Sequence, residues 1–412
     1  VSGSRAQRAV ARVAERRRAA RRGAMVAAAS VVVAVGSVTG MMSALGDGRA
    51  SDDAEPLVTH APSLLPLPAV PTPSPTGASV SPSPSKLSPS PKPSPGSSSS
   101  SGSSSGSGSG SKASADKGKT ATVAASAGLY RHPESQVLDW VAANPGDSRR
   151  AVIESRIADR PAAVWFADFT PSTITRRVRA VTSGGAAQGR VPVVVAYTIP
   201  GRDCGGASEG GAPDLDAYDG WIDNFAAGLG SREVIVILEP DSVAQADCLS
   251  AGQRADRFAS LARAGRVLKA ADPRARVYYD AGHSGWKPAA AQAAFLKQAG
   301  AASAASSDGI FTNVSNFHRT STESTYAREV LSALGGPASL GAVIDTSRNG
   351  NGAPADGEWC DPAGRRIGRA PTLDTGEARI DAYLWVKLPG ESDGCKGAPG
   401  TFSPAYAYDL AT

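Results

Sequence analysis

Five aspartates in this sequence stand in the same kind of place. Asp203 in YTIPGRDC, Asp241 in LEPDS, Asp280 in YDAGHSGW, Asp345 in DTSRNG and Asp393 in KLPGESDGC each close or directly follow an apolar run. Arg202, His283, Arg348, Lys387 and Glu391 sit in the same stretches, and Trp165, Trp286 and Trp385 lie within or just after such runs. Gathered carboxylates with tryptophan nearby suit the cutting of sugar polymers. A glycosidic oxygen is a poor leaving group and needs a proton donor, while water or a carboxylate attacks the anomeric carbon. Indole faces offer stacking surfaces for pyranose rings, so all three tryptophans are candidates for substrate contact. A single aspartate after a strand is more often a turn or helix cap, and a single tryptophan is as often core. The recurrence carries the argument.

Such groups converge only if the elements beneath them repeat. Seven apolar runs rich in Val, Ile, Tyr and Phe end abruptly in polar residues, at 163–169, 191–197, 233–240, 276–282, 309–315, 341–347 and 382–389. Ala-rich amphipathic segments follow, with helices expected over 216–230, 255–271 and 324–334. Near-continuous apolar strands alternating with helices predict a parallel sheet covered by helices. Seven units in about 280 residues favour an α/β, TIM-like barrel, whose reactive groups gather at the carboxyl ends of the strands. The sequence has neither a GxGxxG nor a GxxxxGK[ST] loop, which weighs against a nucleotide-binding sheet. Nothing in it calls for a cofactor or a metal: there is no CxxC spacing and the chain has 4 His.

The 412 residues carry a formal net charge of +5, but residues 1–22 alone hold eight Arg and one Glu. Residues 129–412 carry a net −3, so a nucleic-acid partner is not expected. The basic flank of 1–22, read as cytosolic, is followed by an uncharged apolar segment over 23–46, the arrangement of a signal peptide or a membrane anchor. Residues 47–128 are rich in Pro, Ser and Gly, a composition expected of a disordered spacer. The catalytic domain is expected over 129–412, outside the cell, either secreted or tethered to the membrane's outer face, and as a monomer. Four cysteines, Cys204, Cys248, Cys360 and Cys395, fit two disulfides in an oxidising compartment, with three pairings open.

The motifs YTIPGRDCGG, VILEPDS, YYDAGHSGW, TNVSNF, VIDTSRNGNG…EWCDP and WVKLPGESDGC occur in that order. Together they make 129–412 resemble glycoside hydrolase family 6, the inverting cellulases, in its actinobacterial, endoglucanase-like form. The resemblance implies a seven-stranded variant barrel and the pairs Cys204–Cys248 and Cys360–Cys395. It implies Asp241 as general acid, Asp203 as the assisting carboxylate, Asp393 as base and Asp280 as support for the acid. Tyr197 would lie beside the distorted sugar, and Trp165, His283, Trp286, Asn316, Lys387 and Glu391 would contact the substrate. Thr198 and Phe317 depart from residues common in the family, which would change subsite polarity. The short span from Cys360 to Cys395 implies an open cleft and internal cleavage of β-1,4-glucan. An exo-acting cellobiohydrolase is the first alternative and a glucan-binding protein without turnover the second.

Overall fold

Each of the seven apolar runs overlaps a strand. The computed structural model describes residues 128–412. The basic flank (1–22), the apolar segment (23–46) and nearly all of the spacer (47–128) lie outside the described residues. The strands are β1 (Val164–Phe166), β2 (Val193–Ala196), β3 (Val234–Leu238), β4 (Ala275–Asp280), β5 (Gly309–Thr312), β6 (Gly341–Asp345) and β7 (Ile380–Leu384). They form one sheet in the order β1 to β7, and every pair is parallel. No ladder joins β7 to β1. The seam is bridged by Ala163 N donating to Trp385 O at 2.9 Å and by the Trp165 indole N–H donating to Val386 O at 2.7 Å. The result is a curled, incompletely closed barrel.

Strand parity sorts the core into two layers. Val193, Val195, Ile235, Ile237, Tyr278, Phe311, Val343, Ala382 and Leu384 point inward and fill the barrel. Val194, Ala196, Val236, Leu238, Tyr279, Ile310 and Ile344 point outward against the helices. Between β5 and β6 the backbones approach so closely that a Cβ on Gly309 (φ +144°) would stand 1.8 Å from Gly341 O. Only glycine fits there.

The helices are α1 (Gln136–Ala143), α2 (Arg150–Ile153, continuing as a π-helical turn over Glu154–Ala158), α3 (Ile174–Gln188), α4 (Leu215–Ala226), α5 (Ala251–Ala271), α6 (Ala289–Gln298), α7 (Thr320–Leu334) and α8 (Pro404–Ala411). Helix α5 starts in a capping box of Ser250 and Gln253, and Asp214 caps α4 by accepting Ala217 N at 2.7 Å. Helices α1, α2 and α8 enclose a third, smaller core with Trp385 and Leu388. Among the described residues, no helix is long and apolar enough to cross a membrane.

Strand β7 begins two residues before the expected run and ends at Leu384. The apolar stretch beyond it belongs partly to the third core, so hydrophobicity persisted where strand pairing did not. The three expected helices correspond to α4, α5 and α7, the latter two starting four residues early.

Candidate active site

The loops leaving the carboxyl ends of the strands line a cleft of about 1280 Å³. Trp165, Tyr197, Asp203, Asp241, His283, Trp286, Asn316, Lys387, Glu391 and Asp393 all line it. Its backbone is unusual. Asp203, Glu239, Asp241, Asn313, Ser315 and Asp361 all adopt left-handed conformations, with φ between +48° and +70°. Such angles in residues other than glycine cluster where surrounding structure holds a side chain in a set direction.

After β2 the chain turns at once. The Tyr197 hydroxyl and Ser208 Oγ share a hydrogen bond at 2.9 Å, and Asp203 Oδ2 accepts from Ser208 N at 2.8 Å and Ser208 Oγ at 2.9 Å. Arg202 lies 4.5 Å over the Tyr197 ring and donates to Ser208 O at 2.8 Å and Ala167 O at 2.6 Å. Trp165 meets Tyr197 edge to face, with ring centres 5.2 Å apart. A disulfide ties Cys204 to Cys248 and thereby ties this loop to the one after β3.

Asp241 stands on that second loop. Burial, then the charges of Asp280 and Asp203, push its carboxyl well above the usual range, which favours the protonated form. Asp280 closes β4 and is 1% exposed. Its Oδ2 accepts Val243 N at 3.0 Å and Ala244 N at 2.8 Å, and Oδ1 accepts Gly282 N at 2.9 Å. Asp280 therefore does not open onto the cleft. It holds the turn that carries Asp241 and supplies like charge beneath it.

The loop after β4 presents His283 and Trp286. His283 stacks on His318, with ring centres 4.2 Å apart, and meets Trp286 at a tilt, 4.4 Å away. Burial and then the neighbouring His318 lower the His283 pKa to about 3, so the imidazole is neutral. Its Nδ1 accepts Gly285 N at 3.1 Å, which leaves the proton on Nε2 as a donor.

On the opposite side, Asp393 is bound by cations. Arg348, fully buried, donates to Asp393 Oδ2 at 2.6 Å, and Lys387 Nζ lies 3.4 Å from Oδ1. Asp361 organises the loop. Its carboxylate accepts Ser392 Oγ at 2.6 Å, Asp393 N at 2.8 Å, Lys396 N at 2.9 Å and Cys395 N at 3.0 Å. The Cys360–Cys395 disulfide closes the same unit. Burial pushes Glu391 up to about 7, opposed by Lys387 and by Gln136, whose amide donates to it at 3.2 Å.

Four expectations from the sequence change. Trp385 is 2% exposed, its indole N–H donates to Arg369 O at 3.0 Å, and it packs in the third core rather than against substrate. Asp345 is buried and accepts main-chain N–H groups of Ser315, Ser347 and Lys387, bracing three loops from below the cleft. Thr198 is fully buried beside the cleft, not in it. Phe317 reaches the cleft lining but is buried under the Arg348 guanidinium, 4.4 Å away. Ser208, Glu239, His318, Trp359 and Asp361 also belong to the site or its support and are not among the residues the sequence singles out. Trp359 and Asp361 lie inside the EWCDP motif; Trp359, 56% exposed, lines the cleft.

A carboxyl of raised pKa, a cation-bound carboxylate and tryptophans along one groove at a barrel mouth define a carbohydrate-cleaving hydrolase. Comparison with known proteins gives the family. The model for glycosyl hydrolases family 6 matches residues 123–408, and the chain belongs to that family. Endoglucanase 1 of Streptomyces sp. (strain KSM-9) is 53% identical over 291 residues, covering 70% of this chain and 79% of that one. Endoglucanase A of Thermobispora bispora is 50% identical over 299 residues, covering 70% of this chain and 65% of that one. Among solved structures, the endoglucanase Cel6 of Mycobacterium tuberculosis, in complex with a methyl-cellobiosyl thio-cellobioside, superposes with a TM-score of 0.64. It is 40% identical, and the match covers 69% of this chain and 97% of that one.

Proposed function

We propose that this chain is an endoglucanase that hydrolyses internal β-1,4-glucosidic bonds with inversion at the anomeric carbon. The observation that carries the proposal is Asp241, a cleft-lining carboxyl whose pKa burial, Asp280 and Asp203 raise. Inverting cleavage needs an acid that is still protonated when substrate arrives. Asp241 donates that proton to the leaving oxygen while a water attacks the opposite face of the sugar. Asp393 takes the proton from this water, oriented by Arg348 and Lys387. Asp203 stabilises charge beside the acid through its bonds to Ser208. Tyr197 stays a neutral phenol, because burial and then Asp241 push its pKa up. It flanks the sugar being cut, while Trp165, Trp286, Trp359 and neutral His283 line the path of the polymer.

Internal cleavage is favoured by the relatives at 50% and 53% identity, both named endoglucanases. Exo action, the second reading, draws on the approach of the two disulfide-tied loops, where a Cβ on Gly394 would lie 3.8 Å from that of Ala207. The two disulfides fit an exported enzyme. We place the catalytic domain at 129–412, on a 47–128 spacer, with 1–46 directing export or tethering the enzyme at the membrane, and as a monomer.

The test is Asp241→Asn on soluble carboxymethyl-cellulose. Turnover should fall by about 10²–10⁴-fold while cellotetraose binding persists; retained polysaccharide hydrolysis would sink the acid assignment. NMR of fresh product should show the α-anomer first. A slow loss of viscosity per bond cut would favour exo action.

A further inference from the structure

Two buried charged side chains close to the acid play no part in the chemistry above. Glu239 stands two residues before Asp241, fully buried and left-handed at φ +51°. Its Oε1 accepts Thr198 N and its Oε2 accepts Ile199 N, both at 3.0 Å. Arg257, on α5 and 4% exposed, donates through Nη2 to Pro200 O at 2.8 Å and Gly201 O at 3.2 Å. Residues 198–201 thus have two N–H groups on one side chain and two carbonyls on the other. This short span joins Tyr197 to Arg202 and Asp203. It leaves β2 with no strand partner to hold it, apart from Ala212 N donating to Thr198 O at 2.7 Å.

Neither charged group lines the cleft. Burying two charges is costly, and apolar packing of similar volume is often as stable or more so. What the pair supplies is direction. Glu239 belongs to the same turn as Asp241 and grips the segment that carries Tyr197 and Asp203. The spacing between the acid and its two neighbours is therefore set through Glu239.

We propose that Glu239 and Arg257 are positioning residues for glycosidic cleavage, acting as a two-sided clamp that fixes the Tyr197–Asp203 segment against the Asp241 turn. The proposal rests on the roles given above to Asp241, Asp203 and Tyr197. Misplacement of a reacting group by about 1 Å can cost on the order of 100-fold in rate, while the sugar-stacking wall at His283 and Trp286 lies on another loop.

The experiment compares wild type, Glu239→Gln, Arg257→Met and the double variant on soluble β-1,4-glucan. Gln keeps the volume of Glu but turns an N–H₂ toward one of the two N–H donors. Each single variant should lose about 100-fold in kcat, with KM and the calorimetric Kd for cellotetraose within about threefold. The double variant should be no worse than the poorer single, as coupled groups behave. Single variants that only melt at lower temperature and keep kcat within about twofold, or losses that multiply in the double, would overturn the clamp. Should Glu239→Gln not fold, Glu239→Asp retracts the carboxylate by one methylene; at least a tenfold loss of kcat is expected, and wild-type kcat overturns the proposal equally. If wild type itself leaves β-1,4-glucan intact, the endoglucanase reading fails, a result distinct from variants that match an active wild type.

Discussion

Replacing Cys360 and Cys395 by serine should cost this enzyme stability but little turnover. The bond closes a loop with a sequence separation of 35. Freeing a loop of that length in the unfolded chain is worth about 4 kcal/mol on the chain-entropy account. For a domain of this size that corresponds to a fall of roughly 7 °C in Tm. The native loop has a second anchor, because Asp361 accepts four hydrogen bonds of 2.6–3.0 Å from residues 392–396 and is itself 4% exposed. With those bonds intact, Asp393 stays against Arg348, and kcat on carboxymethyl-cellulose should change by less than about threefold, near what surface substitutions produce. Asp361→Ala, with the disulfide kept, should reverse the pattern and depress kcat strongly. Thermal unfolding by circular dichroism, run beside initial rates well below each Tm, separates the two effects. If the serine pair melts like wild type yet turns over poorly, the covalent bond positions Asp393 and the Asp361 network does not.

Three further outcomes follow from the same geometry. Burial raises the Glu239 pKa to about 7, against hydrogen bonds from Thr198 and Ile199 that lower it. The folded value thus lies above the unfolded one, and this stability is present at low pH and lost as pH rises through 7. The amount is about 3 kcal/mol, so thermal melts of wild type from pH 5 to 8 should fall more steeply than those of Glu239→Gln. Asp280→Asn removes a charge that raises the Asp241 pKa, so the alkaline limb of the kcat/KM profile should move to lower pH; an unmoved limb would argue against that charge coupling. Trp359→Ala should raise KM on polymer about tenfold, roughly 1.4 kcal/mol, with kcat nearly unchanged; an unchanged KM would exclude Trp359 as a sugar platform.

Much of this was legible in the chain because the barrel repeats one simple unit. An apolar run that stops at polar residues marks both a strand and the end where chemistry collects, and all seven were visible. Asp203, Asp241 and Asp393 were visible for the same reason. Trp385 reads as a substrate contact until strand parity is carried through β7. Ala382 and Leu384 face inward, so the next residue faces out, into a core made by α1, α2 and α8. Asp345 looked like Asp241 in sequence, since a strand-end carboxylate reads alike whether it meets substrate or its neighbours' N–H groups. Asp361 and Glu239 escaped because their partners lie 31–41 residues away. Nothing local distinguishes an aspartate that receives a loop from one that caps a turn.

The left-handed backbone at Asp203, Glu239, Asp241, Asn313, Ser315 and Asp361 limits how this mouth can evolve. A β-branched residue at any of these points would meet a steric barrier before its chemistry was tried. Loss of activity from valine or isoleucine there would be uninformative about charge, whereas asparagine and glycine isolate the missing group. Innovation in substrate choice has an easier route through Trp286, His318 and Trp359, which carry no such constraint. The catalytic register can stay frozen while the walls of the groove diversify around it.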